Sequence, residues 1–203
     1  MTRRRSSYRS LASLQRDNRG CRACAEAGFR IESHPVFEGC AGQRAYILGQ
    51  APGVIEGEQG RPWRGRAGQT LRRWLGFDED EFYGTFYCAS VTRCYPGRAA
   101  AGGGDRTPTA REQDLCSFWR EWELRLLAPR LIVPVGGLAI RRLLGVTSLD
   151  ASVGRRFDHG DAAVIPLPHP SGVSRWMNEA PNQRRVRKAV ALIHAELRAL
   201  DAA

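Results

Sequence analysis

The stretch Ala45-Tyr46-Ile47-Leu48-Gly49-Gln50-Ala51-Pro52-Gly53 decides the fold class. Its apolar, β-favouring run is too short for a helix and stops at a Pro-Gly turn. A continuous apolar run without alternation is the signature of a strand covered on both faces, which is the usual situation in a parallel sheet. Three more runs of this kind follow, Thr85 to Thr92, Leu131 to Val135 and Ala163 to Leu167. Helical patterns separate or follow them at Gly68 to Leu75, Ala110 to Leu127, Leu138 to Leu144 and Asn182 to Leu200. Alternating strands and helices predict an α/β protein, a three-layer α/β/α sandwich around a central, mainly parallel four-stranded sheet.

The whole chain is consistent with that reading. Its 203 residues suggest one domain, or at most two small ones, and 42% apolar with 26% charged residues excludes a disordered, collagen-like or coiled-coil chain. The longest apolar stretch, Leu131 to Ile140, is broken by Pro134 and two glycines and falls short of the about 20 residues a membrane helix needs, so no membrane association is expected. The basic start has no apolar segment behind it, which argues against a secretory signal and for an intracellular protein. The formal charge of +10, carried almost wholly by arginine with Lys188 the only lysine, points to a polyanionic partner, nucleic acid first. Ala99 to Gly104 is a low-complexity flexible insert.

In parallel sheets, ligands bind beyond the carboxyl ends of the strands. Gln50-Ala51-Pro52-Gly53 follows the first strand, Arg93-Cys94 the second, Gly136-Gly137 the third and His169-Pro170-Ser171 the fourth. Prolines on both sides of His169 restrict the backbone and hold the imidazole at a strand end. The glycines of Gly49 to Gly53, and of Gly60-Arg61-Pro62-Trp63-Arg64-Gly65-Arg66-Ala67-Gly68, permit close backbone approach to a ligand. Neither stretch is a dinucleotide fingerprint or a Walker loop, so a nucleotide cofactor is not expected.

Cys21 and Cys24 form a CxxC, and Cys94 and Cys116 lie far downstream. One CxxC is shared by zinc knuckles, redox dithiols and iron–sulfur sites. Its position before the first strand disfavours a thioredoxin-like dithiol, and the long separation of the second pair suits a larger cluster as well as a zinc ion. Cys40 and Cys88 are left over, Cys88 as an inert thiol within an apolar strand.

Taken together, these segments resemble the uracil-DNA glycosylase superfamily, closest to its iron–sulfur family 4, with family 5 nearby. The resemblance runs from Cys21 to about Ala195. It is carried by the CxxC; by Gly49 to Gly53 with Gly60-Arg61-Pro62-Trp63 and Gly65-Arg66-Ala67-Gly68-Gln69; by Cys94 with Pro96 and Thr107-Pro108 leading to Cys116; and by His169-Pro170-Ser171. It implies one glycosylase-like domain over residues 1–203, with residues 1–19 as a basic helix or tail. It also implies a [4Fe–4S] cluster on Cys21, Cys24, Cys94 and Cys116, held by a cluster loop. The expected activity is that of a monomeric, monofunctional base-excision repair enzyme of the bacterial cytoplasm. Such an enzyme flips a damaged base out of DNA and hydrolyses its N-glycosidic bond.

By the same resemblance, Gln50, Glu56 and His169 are the catalytic candidates. Gly49, Ala51, Pro52, Gly53, Trp63 and Ser90 would hold the base, while Ser171, Gly172, Val173 and Arg175 would enter the minor groove. Three positions depart from the family. Gln50 stands where the family usually has Glu, and an amide can position a water but is a poor general base. Ser90 stands where the family has an Asn for the pyrimidine edge, and Trp63 stands where it has a stacking Phe. The basic, His-containing loop of covalently trapping relatives is missing. These departures keep two alternatives open on the same fold: a catalytically weak lesion-recognition protein, and a glycosylase for hypoxanthine or xanthine. A four-cysteine zinc protein that binds nucleic acid without chemistry is a third.

Overall fold

A computed structural model describes residues 4–100, 103–171 and 175–202. In chain order its elements are α1 (Leu11–Arg19), α2 (Ala23–Glu26), β1 (Ala45–Gly49), α3 (Val54–Gln59), α4 (Arg66–Leu75), α5 (Glu79–Thr85), β2 (Phe86–Ser90) and α6 (Ala110–Leu127). There follow β3 (Leu131–Pro134), α7 (Gly137–Leu144), α8 (Leu149–Ser152), β4 (Phe157–His159), β5 (Ala162–Val164), a 3-10 turn (Arg175–Asn178) and α9 (Ala180–Asp201).

The sheet runs β2-β1-β3-β5-β4, and every pair is parallel except β4 with β5. Five strands, not four, make the sheet. The extra strand, Phe157–His159, is a short edge strand with two exposed polar residues, joined to β5 by a turn at Gly160. With a single apolar residue it has no hydrophobic signature, and its backbone pairing alone makes it a strand. The expected fourth strand, Ala163 to Leu167, is regular only over Ala162–Val164. Pro166 and Pro168 then break the ladder, leaving a lone bridge between Val135 and Leu167.

The period of two along each strand builds the layers. Ile47, Cys88, Val133 and Ile165 point to one face, where Leu71 and Leu75 of α4, Phe82 of α5, and Val186, Ala189 and Ile193 of α9 cover them. Tyr46, Leu48, Tyr87, Ala89 and Ile132 point to the other, against Leu11 and Leu14 of α1, Trp119 of α6 and Leu138 of α7. The expected basic N-terminal stretch is a helix over Leu11–Arg19, capped by the Ser10 hydroxyl accepting from Ser13 N–H. The flank of α6 is set the same way, by Thr109 and Glu112 in a capping box. No helix among the described residues is long and apolar enough to cross a membrane.

From β1 the chain turns to β2 on one side, and from β3 it continues to β5 on the other. The sense of connection reverses between β1 and β3, and at such a switch point the loops part and leave a crevice at the carboxyl ends.

Candidate functional site

Four strand ends meet at this crevice. Gly49 and Ser90 are partners across β1 and β2, and a Cβ on Gly49 would stand 2.9 Å from Ser90 Oγ and 3.1 Å from Trp63 Cζ2. Only a glycine lets the hydroxyl and the indole close over the end of β1. Gln50 follows, half-buried, its carbonyl accepting from Thr92 N–H (3.2 Å). The turn Ala51-Pro52-Gly53 leads into α3, whose Glu56 holds two loops. Its Oε2 accepts from Gly53 N–H (3.2 Å) and its Oε1 from Gly65 N–H (2.7 Å).

Trp63 sits in the left-handed region at φ 60°, where residues with a side chain are rarely found. Three contacts fix it there. Arg72 Nη1 donates to its carbonyl (2.9 Å), Tyr83 O–H donates to the carbonyl of Pro62 (2.5 Å), and Gly68 of α4 has no side chain where the Trp63 carbonyl lies. The indole is buried, and its Nε1 has no partner among the described residues.

The His169 ring lies across from the indole, with centroids 6.4 Å apart. Gly136, at φ 91°, packs directly on it; a Cβ there would stand 3.3 Å from the His169 Cβ. Ser171 N–H donates to Nδ1 (3.3 Å), which leaves the proton of the neutral ring on Nε2. Burial holds the imidazole below its ordinary pKa, partly offset by the Glu56 carboxylate. The result is a neutral histidine with an N–H to offer, suited to negative charge that develops on an incoming group.

Ser171 is half-buried beside this ring, and Arg175 opens the 3-10 turn beyond it, exposed. Gly172 and Val173 lie outside the described residues. Arg184, Arg187 and Lys188 are exposed on α9. One acidic neighbour of the crevice, Asp105, is not evident from the sequence. Asp105 accepts from Tyr95 O–H (3.0 Å), and its Oδ2 would be 3.1 Å from a Cβ on Gly53. Tyr95 and Asp105 both belong to the long loop between β2 and α6, so no local pattern announces their contact.

The cysteines gather elsewhere. Cys21 follows α1, Cys24 is in α2, Cys94 is in the loop after β2 and Cys116 is in the second turn of α6. All four line one apolar pocket with Ile31, Pro35, Pro96 and Leu115. Trp119 Nε1 donates to Cys21 Sγ (3.2 Å) and Arg93 N–H to Cys116 Sγ (3.3 Å). Burial and the neighbouring thiols push Cys24 up to about 12, and raise Cys94 and Cys116 as well. Four thiolates at one pocket repel each other and require a polycationic centre. This donor set, with N–H groups aimed at two of its sulfurs, fits a cluster bound through thiolates. Among the described residues, no group of three or more His, Cys, Asp or Glu side chains is close enough together to hold a single metal ion. Cys88 is buried within β2 and Cys40 is exposed, and neither lines the pocket.

Residues 36–194 match the family model described as the uracil DNA glycosylase superfamily. A Thermotoga maritima protein named Type-4 uracil-DNA glycosylase is 31% identical over 157 residues, covering 74% of this chain and 76% of that protein. Proteins of the same name from Sulfurisphaera tokodaii and Pyrobaculum aerophilum are 28% and 29% identical, covering 63% and 66% of this chain and 54% and 64% of their own lengths. The family match takes in the whole sheet and every strand end that forms the crevice, and on that ground the chain belongs to the uracil DNA glycosylase superfamily.

Proposed function

We propose that this protein is a monofunctional DNA glycosylase that removes uracil from DNA and leaves an abasic site. The observation that carries the reading is the crevice itself. A neutral His169, its Nδ1 taken by Ser171 N–H, faces Trp63 at the strand ends, in a chain related to enzymes named for this activity.

A base inside a duplex is out of reach, so the nucleotide is rotated outward at a cost of a few kcal/mol. Ser171, Gly172, Val173 and Arg175 fill the space it leaves. Trp63 stacks on the base, a contact worth about 1–3 kcal/mol for aromatic platforms. Ser90 and the backbone of Gly49 to Gly53 contact its edge. As the bond between the sugar carbon and the base nitrogen breaks, its electron pair leaves with the base. His169 Nε2–H then donates to the oxygen on which that charge collects, a role worth roughly 3 kcal/mol by analogy with oxyanion donors. Gln50 holds the water that adds to the sugar cation. Glu56 already accepts two backbone N–H bonds, one on each carboxylate oxygen, which ties it to the loops at Gly53 and Gly65. Its part is to lock the loops and keep negative charge near the developing cation. The compartment that follows is the one holding the DNA, the bacterial cytoplasm or nucleoid.

Cys21, Cys24, Cys94 and Cys116 would hold a [4Fe–4S] cluster. Bound there, it would cross-link the segment after α1, the loop after β2 and helix α6, and hydrolysis would ask no electron of it.

Gln50 in place of an acidic residue favours a second reading, a lesion-recognition protein of weak activity. Labelled oligonucleotides bearing uracil, hypoxanthine, xanthine or normal bases, incubated with the intact protein and then cleaved with alkali, separate the two. Cleavage at uracil that is lost in His169→Ala supports the glycosylase. No cleavage at any base overturns it, and a gain of cleavage on Gln50→Glu then identifies the recognition protein.

A further inference from the structure

A buried polar network borders the cysteine pocket, and no step of base removal uses it. Arg93 has the same parity along the chain as Tyr87, Ala89 and Val91, and it is 1% exposed. Its Nη2 donates to Glu123, which is 0% exposed, and lies 3.3 Å from Tyr46 Oη. Glu123 is saturated. It also accepts from the hydroxyls of Tyr46 (2.7 Å) and Tyr87 (3.2 Å) and from Asn18 Nδ2 (3.5 Å). Arg93 is not saturated, because its Nε and Nη1 are buried without a partner among the described residues, as is Nη1 of Arg120, one turn beyond Cys116 on α6.

Arg93 thus brings two buried donors, and Arg120 one, that meet no acceptor among the described residues. The other buried carboxylate at the pocket, Glu112, is taken by Arg106 (2.7 Å) and Thr109. A buried donor left without an acceptor is costly, and a buried charge in excess more so. Arg93 itself lines the cysteine pocket and sends its backbone N–H to Cys116 Sγ. Four thiolates around a dipositive iron–sulfur core leave a doubly negative group rich in sulfur acceptors, which is the counterpart this wall lacks.

We infer that Arg93, backed by Arg120, is the cationic wall of the cluster site and sets the cluster's reduction potential upward. Positive charge and N–H donors beside a cluster favour the state with one more electron. The inference rests on the cluster reading of the four cysteines. It concerns the potential and not the hydrolytic step.

The test uses the full-length protein purified without oxygen, as the parent and as Arg93→Met, Arg93→Lys and Arg120→Met, with iron and sulfide content checked in each. In a potentiometric titration an electrode supplies one electron to the cluster, followed by visible absorbance and electron paramagnetic resonance. Arg93→Met is expected to lower the equilibrium constant for reduction at least tenfold, a shift of 59 mV to more negative potential for a one-electron couple. Arg93→Lys, which keeps the charge, is expected to retain most of the parent's value. Arg120→Met is expected to lower the constant several-fold, and it decides alone if Arg93→Met loses its cluster, since its removal leaves no buried carboxylate unpaired. Iron-loaded variants with the parent's potential overturn the inference and leave the cluster reading standing. A parent protein without iron overturns both.

Discussion

Gly68→Ala separates a glycine required by packing from one that is merely tolerated. In the body of a helix this change normally stabilises by up to about 1 kcal/mol. At position 68 the new Cβ would stand 1.8 Å from the Trp63 carbonyl oxygen, 2.3 Å from its carbon and 2.8 Å from Cα. Relief requires the Trp63 backbone to move on the order of 1.5 Å to reach ordinary contact. That backbone is held by Arg72 on one carbonyl and Tyr83 on the preceding one. Overpacking costs roughly 1–3 kcal/mol and loss of the Arg72 bond roughly 1 kcal/mol, so the net effect is a destabilisation of about 2–3 kcal/mol. With an urea slope of about 1–3 kcal/mol per molar, the unfolding midpoint falls by roughly 1 M. Because the indole moves with its backbone, base removal falls on the order of 10²-fold beyond any loss of folded protein. Gly84 in α5 is the control, since a Cβ there meets nothing within 4 Å. Gly84→Ala is expected to be neutral or slightly stabilising. Equal midpoints for the two variants would refute the argument that Gly68 exists to seat Trp63.

Three further outcomes follow from the same geometry. His169→Ala is expected to lower the single-turnover rate on uracil-containing DNA on the order of 10²-fold, the loss of about 3 kcal/mol of donor stabilisation, with little change in affinity for DNA. Burial depresses the His169 pKa, so as the pH falls the unfolded chain takes up that proton before the folded protein does. The stability held in the neutral ring is complete above the unfolded value of about 6.5 and is lost as the pH drops toward the folded one; urea melts at two pH values should show a smaller slope in His169→Gln. Glu123→Gln strips the fully buried Arg93 of its counter-charge and is expected to cost about 3–5 kcal/mol in urea unfolding, with 0.5 kcal/mol or less marking the pair as dispensable.

How much was legible in the sequence depended on how local the cause was. Ala45–Gly49 and Ala110–Leu127 appear with the expected limits because each carries its own boundary, a Pro-Gly turn after the strand and Thr109 with Glu112 at the start of the helix. His169 stood out because its flanking prolines are part of its geometry. Phe157–His159 was missed because pairing with β5 makes it a strand, not its residues. Helix α3 was missed because Gly57 lowers its propensity; the glycine is there because Tyr95 and Ser33 would stand 3.0 and 3.1 Å from a Cβ. The Arg93 and Glu123 pair joins residues 30 apart, and nothing on either side of them in the chain predicts that they meet.

The long loop that carries Cys94 explains why a cluster with no hydrolytic task would be kept. Tyr95, the next residue, donates its backbone N–H to Ser33 Oγ (2.8 Å) and lays its ring on Gly57 of α3. Its hydroxyl holds Asp105, whose carboxylate abuts Gly53 at the start of that helix. Glu56, within the same helix, ties Gly53 to Gly65 and so to the loop that presents Trp63, and its charge acts on His169. Tyr95 thus links the loop that carries Cys94 to α3 and, through α3, to the base crevice. A thiolate cross-link at Cys94 would fix the residue next to Tyr95, against which Gly57 of α3 packs. Under the proposed activity, glycosidic cleavage would depend on holding His169, Gln50 and Trp63 within fractions of an ångström, and on a short helix with a glycine in its middle that rigidity has to come from outside the helix.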